Sequence, residues 1–255
     1  MRPPAPDHKD ADSAILGAPI RTVAAAPSRC PPSTTRKSMP SVRLNYQTIE
    51  FDHVDIHVRS LRDLQQFSDD AEQTAEAFGM PLSSWPLFGV LWDSGRVLAQ
   101  LMSDFECGDK RILEVGCGIG LPSLMLNSRN ADITATDFHP EAGHFLAENV
   151  RLNNGRAIPF VRTGWADAPS SLDRYDLIIG SDVLYAVEQI DVLSNFVEQH
   201  AQPRCEVVVV DPGRGLQPHF TRNMQALGYG LTQSKPVRTA GSSPDFNGDI
   251  LCYRR

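Results

Sequence analysis

The chain has 255 residues, of which 41% are hydrophobic and 22% charged, and its formal net charge is −7. This length suits one α/β domain of ordinary size with an extension. No apolar run approaches the roughly 20 residues of a membrane-spanning helix, and the absence of a basic excess disfavours nucleic acid as a partner. The five cysteines are dispersed, without CxxC or metal-ligand spacing, which predicts reduced thiols in a cytoplasmic protein and no metal site.

Residues 1–40 differ in composition from the rest of the chain. They are rich in Pro, Ala and Ser and carry few periodic apolar residues, so they bury too little surface to offset the entropy of ordering. We therefore expect a disordered tail, with a transit peptide or a start at Met39 as alternatives. The domain is predicted to span 41–255, with its core at 85–255, and a chain that begins at Met39 should keep its fold.

The elements follow in chain order. Alternating runs within residues 43–60 predict a leading β-hairpin, and helical spacing of apolar residues predicts a helix within 85–102. Beyond residue 110, strands and helices alternate, and uninterrupted apolar strands such as 206–210 are typical of a parallel sheet covered on both faces. The last two strands have no helix between them and predict an antiparallel edge. The predicted fold class is α/β: a doubly wound, seven-stranded, mostly parallel sheet with an N-terminal β-hairpin extension.

A glycine-rich loop follows the first strand of the alternating part and opens a helix. Gly116, Gly118 and Gly120 permit a tight turn and a close approach of the backbone to a ligand. The spacing is GxGxG; it is not the GxGxxG that brings a pyrophosphate to a helix N-terminus, because Leu121 follows Gly120. Glu114, beside the loop, would repel a pyrophosphate but can hold an ammonium group through bound water.

Two further residues indicate a nucleoside. Asp137 ends the next strand, roughly 20 residues beyond the glycines, where a carboxylate can accept both hydroxyls of a ribose. Trp165 follows the third strand, where an adenine ring needs a flat apolar platform; packing in the core is the alternative for this side chain. Asp167 is placed to accept from the exocyclic amine. A glycine-rich turn in an unrelated α/β protein is the competing interpretation of the whole set.

Asp182 and Tyr185 lie three residues apart, just after the fourth strand. Ligands of open α/β sheets bind beyond the carboxyl ends of the strands, so this segment should face the same cavity as the glycine loop. Asp182 can stabilise the positive charge that an amine nitrogen gains as a nucleophile, and Tyr185 can orient that amine. The alternative for Asp182 is the N-cap of the following helix.

Five motifs carry a resemblance to a known family: LWDSG at 91–95, LEVGCGIGLPS at 113–123, TD at 136–137, GW at 164–165 and SDVLY at 181–185. They are similar to those of the seven-β-strand protein lysine methyltransferases, over roughly residues 85–230, and SDVLY resembles that family's acid-x-x-tyrosine motif. DPGR at 211–214 is similar to the branch that modifies the electron-transfer flavoprotein. The resemblance implies a Rossmann-like, class I methyltransferase that uses S-adenosyl-L-methionine.

The resemblance also implies where the cofactor lies, with the methionine moiety along the first two glycines of the loop. The residue types and the resemblance together give one predicted cofactor-binding set: Trp92, Glu114, Gly116, Gly118, Gly120, Asp137, Trp165 and Ser181. Asp182 and Tyr185 would border the lysine channel as the catalytic residues.

The sequence thus predicts an S-adenosylmethionine-dependent methyltransferase that modifies a lysine side chain of a protein substrate. A small-molecule amine methyltransferase on the same fold, or an enzyme that modifies arginine or histidine in proteins, are the alternatives, because a fold does not fix a substrate. A catalytically silent cofactor-binding module is the alternative outside enzymes. Glu114, Asp137, Asp182 and Tyr185 argue against it, since a silent copy has no need of all four.

Overall fold

In a computed structural model, the protein is built on a mixed β-sheet whose strands alternate with helices along the chain. The compact unit that carries the fold spans Met39–Arg255. The tail predicted over residues 1–40 lies outside the described residues. The structure describes residues 43–62, 75–76, 82–167, 172–237 and 246–255.

The first elements of the described residues form a hairpin, β1 (Leu44–Phe51) and β2 (Val54–Leu61), which confirms the predicted extension. A 3₁₀ helix follows over Leu82–Gly89. The alternating part then consists of α1 (Asp93–Asp104), β3 (Arg111–Val115), α2 (Leu121–Ser128), β4 (Asp132–Asp137), α3 (Ala142–Leu152), β5 (Phe160–Arg162), β6 (Tyr175–Ser181), α4 (Val187–His200), β7 (Ala201–Asp211), α5 (Gln217–Ala226), β8 (Gly230–Ser234) and β9 (Asp249–Arg254).

The helix predicted within 85–102 is confirmed by α1, but the segment before it is a separate 3₁₀ helix. Pro86 lies inside the 3₁₀ helix, and a proline lacks the N–H that a regular α-helix needs. Trp92, just before α1, has extended backbone with φ −81° and ψ 144°. The chain therefore turns between the two helices, which brings the first turn of α1 to the edge of the sheet.

The sheet has seven strands among the described residues, in the order β5-β4-β3-β6-β7-β9-β8. Strands β3 to β7 pair in parallel, whereas β9 runs antiparallel to both β7 and β8. The predicted doubly wound, mostly parallel sheet with an antiparallel edge is confirmed. The chain order reverses direction between β3 and β6, and the crevice at such a switch point is where open α/β sheets bind ligands.

Two clusters of buried apolar side chains cover the two faces of the sheet. Leu98 of α1, Met125 of α2 and Leu146 of α3 pack on one face, together with the hairpin. Ile190 of α4 and Phe220 of α5 pack on the other. Burial on both faces explains why the central strands carry uninterrupted apolar runs.

Two asparagine side chains attach the hairpin to α3. Asn149 exchanges two hydrogen bonds with the backbone of Arg59, at 2.7 and 3.2 Å, and Asn153 does the same with His57, at 2.8 and 2.7 Å. Four residues of helix rise about 6 Å and two residues of strand about 6.6 Å, so the two amides match the two backbone units. Asn149 also donates to the carbonyl oxygen of Ile119 at 2.9 Å, and thereby links the hairpin to the glycine loop.

We expect Asn149→Ala to lower the free energy of unfolding by about 1–3 kcal/mol, because the amide is fully buried and its removal leaves backbone groups without partners. Asn153→Ala is the matched control: its partner His57 is exposed, so water can replace the lost bonds and the loss should be smaller. Urea unfolding of both variants measures the difference. Equal losses would contradict the role of the link to Ile119.

Candidate active site

The carboxyl ends of β3, β4, β6 and β7 meet at one edge of the sheet, and the loops after them form the candidate active site. In the loop after β3, Gly116, Gly118 and Gly120 have φ of 63°, 55° and 79°. These left-handed values favour glycine. Space favours it as well, since a Cβ at Gly118 would lie 2.8 Å from the carbonyl oxygen of Phe88. Glycine at this position thus lets the 3₁₀ helix pack directly on the backbone of the loop at the switch point.

Asp137, at the end of β4, contacts this loop directly. Its Oδ2 accepts a hydrogen bond from the N–H of Gly118 at 2.8 Å, and its Oδ1 accepts from the N–H of His139 at 2.8 Å. Burial raises the pKa of Asp137, while these backbone donors act in the opposite direction. The structure thus brings the predicted ribose-binding carboxylate next to the predicted glycine loop.

Glu114 is buried and faces the start of α2. Its Oε2 accepts hydrogen bonds from both the N–H, at 3.0 Å, and the hydroxyl of Ser123. The sequence predicts a ligand ammonium near this carboxylate; in the structure, Oε2 lies at the first turn of a helix, where an acceptor satisfies unpaired N–H groups. Burial raises the pKa of Glu114 to about 8.

The raised pKa predicts a pH-dependent stability that Glu114→Gln should lack. Below about pH 4.5 both the folded and the unfolded state hold the proton, and between pH 4.5 and about 8 only the folded state does. The free energy of unfolding of the wild type should therefore fall relative to that of Glu114→Gln as the pH rises from 4.5 to 8. Chemical unfolding over this range measures it. Glu148→Gln, at a site where Arg151 lowers the pKa of the carboxylate, is the control, and parallel curves for wild type and Glu114→Gln would contradict the prediction.

Trp165 stands beside the glycine loop. A Cβ at Gly116 would lie 3.8 Å from its Cζ2 atom, and its ring centroid is 6.3 Å from that of Tyr185. The side chain is half-buried and also packs against the apolar cluster under α4 and α5. It combines the two roles that the sequence left open, core packing and a face toward the site. Asp167 accepts a hydrogen bond from the N–H of Gly164 at 2.5 Å, within its own turn.

Phe138, directly after Asp137, lies at the candidate site and is not among the residues that the sequence predicts there. Its side chain is 39% exposed, which is unusual for a phenylalanine at the end of a buried strand. A Cβ at Gly164 would lie 3.1 Å from its Cδ2 atom, so the ring lies against the turn that carries Trp165. The signal available in the sequence was an apolar residue directly after the predicted ribose-binding carboxylate.

Aromatic contacts hold the 3₁₀ helix against the loop that follows β4. The rings of Phe88 and His139 stack at 3.7 Å between centroids, with an interplanar angle of 12°. His139 is buried, and its Nδ1 accepts from the N–H of Glu141 at 3.1 Å, so the neutral ring carries its proton on Nε2. Burial lowers the pKa of His139 to about 3. This ring therefore stays uncharged at neutral pH.

Trp92 and Ser181 lie at the start of α1 and at the end of β6, respectively. The indole N–H of Trp92 donates to the carbonyl oxygen of Leu87 at 3.0 Å, which ties the start of α1 to the 3₁₀ helix. Ser181 ends β6, and a Cβ at Gly95 in the first turn of α1 would lie 3.6 Å from its Oγ. The predicted pair thus borders the site where α1 meets β6.

Asp182 has left-handed backbone, φ 53°, and its carboxylate is bound by Arg214. Nε of Arg214 lies 2.6 Å from Oδ1, and the second guanidinium nitrogen lies 2.7 Å from Oδ2. The helix-cap alternative is wrong, because α4 begins at Val187 and is preceded by Ala186, without a side-chain cap. Arg214, within the DPGR motif, is a second site residue whose contact the sequence analysis did not predict.

Tyr185 is 55% exposed and lies on the same loop as Asp182. Desolvation, Asp137 and Asp182 all raise its pKa, in that order. The hydroxyl therefore stays protonated at neutral pH, where it can both donate and accept a hydrogen bond. Asp182 and Tyr185 reach the same edge as the glycine loop, as the sequence predicted.

A family model described as lysine methyltransferase matches residues 87–225. The chain belongs to this family. The matched range contains the glycine loop, Asp137 and the segment from Ser181 to Tyr185. The fold and the predicted resemblance are confirmed together.

Curated relatives of this lysine methyltransferase family member act on different side chains, as their names state. Protein N-lysine methyltransferase METTL21A of Danio rerio is 33% identical over 128 residues, which cover 45% of this chain and 57% of that protein. Histone-arginine methyltransferase METTL23 of Xenopus laevis is 31% identical over 37% of this chain and 44% of that protein. Histidine protein methyltransferase 1 homolog of Dictyostelium discoideum is 30% identical over 38% and 33%. The chain thus matches between a third and three fifths of the length of these relatives.

Solved structures share the fold. Magnesium protoporphyrin IX methyltransferase from Synechocystis PCC 6803, crystallised with bound SAM, has a TM-score of 0.50 at 18% identity, over 74% of this chain and 92% of that one. TrmN from Thermus thermophilus has a TM-score of 0.51 at 15% identity, over 69% and 54%. The fold is that of the Rossmann-like methyltransferases. No helix in the part of the chain that the structure describes has the length and apolar character to cross a membrane.

Proposed function

We propose that the chain is an S-adenosylmethionine-dependent methyltransferase that modifies a lysine side chain of a protein. One observation carries the proposal: the glycine loop, Asp137 and the acid-x-x-tyrosine segment from Asp182 to Tyr185 all lie at the carboxyl ends of the strands. The family match and the relative named as a protein N-lysine methyltransferase support it.

The residues present fit this cofactor. Phe138 follows Asp137, and its ring lies against the turn that carries Trp165; two partly exposed rings near a carboxylate suit a ribose with an attached adenine. The left-handed backbone of Gly116 and Gly118 forms the tight turn along which the methionine chain would lie. Trp92 and Ser181 border the remaining side, and the residues that hold the loop itself are Glu114 and Gly120. When bound, S-adenosylmethionine supplies an activated methyl group: the S–CH3 bond breaks with its electron pair left on sulfur, and the acceptor lone pair forms the new bond to carbon.

The chain's own residues then have to position an amine. A lysine amine has an unperturbed pKa near 10.4, so it arrives protonated and sheds its proton to solvent before it can react. The Tyr185 hydroxyl, neutral at physiological pH, can accept from or donate to this amine and orient it. The Asp182 carboxylate can stabilise the positive charge that the nitrogen gains. No strong base is required by this arrangement.

The relatives support a second candidate acceptor. Two of them are named for arginine and histidine, and an acidic group with a phenol can receive any basic side chain. A protein partner is common to all three names. We also propose a cytoplasmic location, supported by the free thiols of Cys107, Cys117, Cys205 and Cys252 among the described residues.

Two measurements test the proposal. Calorimetry should show binding of S-adenosylhomocysteine and none of NAD; the reverse would overturn the cofactor assignment. Cell extract incubated with tritiated S-adenosylmethionine should then gain label in protein rather than in metabolites, and mass spectrometry of the labelled band identifies the modified side chain. Label confined to small molecules would exclude a protein substrate, and label on arginine or histidine would replace lysine.

A further inference from the structure

Arg214 and Asp182 form a two-point ion pair where β6 and β7 end. The 2.6 and 2.7 Å contacts engage both carboxylate oxygens, one by each guanidinium nitrogen. Such planar pairs are stronger and better oriented than single-point pairs, and a lysine ammonium does not reproduce them. The side chain of Asp182 is 10% exposed and that of Arg214 is 44% exposed, so the carboxylate lies mostly out of water and its partner reaches it from the surface.

The backbone at Asp182 and the backbone on both sides of Arg214 have left-handed conformations. Asp182 has φ 53°, and Gly213 and Gly215, which flank Arg214, have φ 96° and 84°. A Cβ at either glycine would meet no atom within 4 Å, so the conformation rather than the space requires glycine there. A left-handed aspartate costs free energy relative to ordinary backbone, and the N–H of Asp182 is held by the carbonyl oxygen of Val210 at 2.9 Å. Two irregular loops thus converge on one ion pair.

Acidic groups surround this pair. Asp211 is buried, and its Oδ1 has no hydrogen-bond partner among the described residues. Burial, Asp182 and Asp249 raise the pKa of Asp211, whereas Arg214 lowers it. In the described part of the chain, two titratable groups interact with the pair: Tyr185 after β6 and Asp211 at the end of β7. The next charged groups out are Asp137, which acts on Tyr185, and Asp249, which acts on Asp211 and is paired with Lys235.

This charge distribution has a consequence for an amine acceptor. A carboxylate without a counter-ion stabilises the ammonium form of a neighbouring lysine and raises the pKa of that lysine further above its ordinary value. The ammonium has no lone pair and does not react with a methyl donor. A guanidinium that cancels the carboxylate removes this penalty, and its charge is permanent at any pH at which the protein is folded.

We propose that Arg214 is a positioning residue that neutralises Asp182, so that the acceptor amine is bound uncharged and nucleophilic. The inference rests on the proposed function and extends it to the protonation state of the substrate. The ion pair is a dipole, so its carboxylate end stabilises positive charge on nitrogen more weakly than a free carboxylate does, both on the ammonium beforehand and during transfer. Arg214 thus weakens the stabilisation during transfer and, in return, keeps the amine uncharged and reactive at neutral pH.

The test compares five proteins over pH 6.5 to 10: wild type, Arg214→Gln, Arg214→Lys, the double variant Asp182→Asn with Arg214→Gln, and the control Arg254→Gln. Arg254 also donates two hydrogen bonds to a carboxylate, that of Glu206, but it lies on β9 and away from the site. The acceptor is the protein labelled most strongly in the extract, purified. Calorimetry with S-adenosylhomocysteine and a melting curve check that each variant keeps its fold and its cofactor site.

Arg214→Gln should lower KM for the acceptor, because the free carboxylate attracts the ammonium form. It should also lower kcat at pH 7.5 by about tenfold, because the apparent pKa of the bound amine rises by about one pH unit or more. As the pH is raised, kcat should recover. Arg214→Lys keeps the charge without the two-point contact, so its kcat should keep the wild-type pH dependence even if its absolute value is lower. Arg254→Gln should follow the wild-type profile. The double variant Asp182→Asn with Arg214→Gln has neither charge, so its profile should return to the wild-type pH range, and it serves if the single variant does not fold.

A pH profile of Arg214→Gln that superimposes on the wild type overturns the inference alone. So does an equal loss of kcat at every pH with a raised KM, since that pattern indicates a structural role only. An alkaline displacement that persists in the double variant also overturns it. If the wild type labels no protein, the proposed function fails and this inference fails with it.

Discussion

Replacement of Asp182 by asparagine should slow methyl transfer by about 10²-fold or more at saturating acceptor, while the fold and S-adenosylhomocysteine affinity are kept. The charge that develops on the acceptor nitrogen loses the carboxylate aimed at it. Asparagine is the preferred change, because it resembles aspartate in shape and tolerates the left-handed backbone at this position, φ 53°. Asp182→Ala should show the same loss in rate with a larger loss of stability, since alanine tolerates that backbone less well.

The measurement is kcat per folded molecule, with the melting curve of the same sample. Asp191→Asn is a matched control: Asp191 also accepts hydrogen bonds from neighbouring side chains, Asn223 and His219, but it lies on α4 away from the strand ends. Normal turnover in a stable Asp182→Asn protein would remove Asp182 from the reaction. A lower melting temperature with normal turnover would assign the ion pair with Arg214 a structural role only.

The fold was predictable because its signals are local. Uninterrupted apolar strands that alternate with amphipathic helices have few solutions other than a parallel sheet covered on both faces. The differences occur where a local pattern conflicts with a single residue. Apolar spacing continues through residues 85–102, but Pro86 and the extended backbone of Trp92 divide that segment into two helices.

The sequence predicts which residues lie together at the carboxyl ends of the strands. It predicts less well the direction in which each side chain points. Asp137 and the glycines follow from their positions at strand ends, which the topology fixes. The contact between Asp182 and Arg214 depends on left-handed backbone in two loops, and nothing in the residue types alone specifies that conformation. Glu114 was assigned by its place beside the glycines, yet β-strand geometry turns its carboxylate toward the start of α2.

Asp137→Ala should weaken the binding of S-adenosylhomocysteine by about 1–3 kcal/mol, which corresponds to roughly 5- to 150-fold in Kd. Two losses contribute to this effect. The ribose hydroxyls lose their charged acceptor, and the N–H groups of Gly118 and His139 lose the carboxylate that holds them at 2.8 Å. Because the second loss loosens the glycine loop itself, alanine should be more damaging than asparagine, which keeps one amide oxygen as an acceptor.

Calorimetric titration measures both variants, and Asp132→Ala provides the control. Asp132 begins the same strand, β4, but its side chain is 67% exposed at the opposite end, near Arg111, so its removal should leave Kd unchanged. The order of affinities expected is wild type and Asp132→Ala, then Asp137→Asn, then Asp137→Ala. An unchanged Kd in Asp137→Ala would show that the ribose binds elsewhere, and equal losses in the two Asp137 variants would show that the hydrogen bonds to the glycine loop add nothing to cofactor binding.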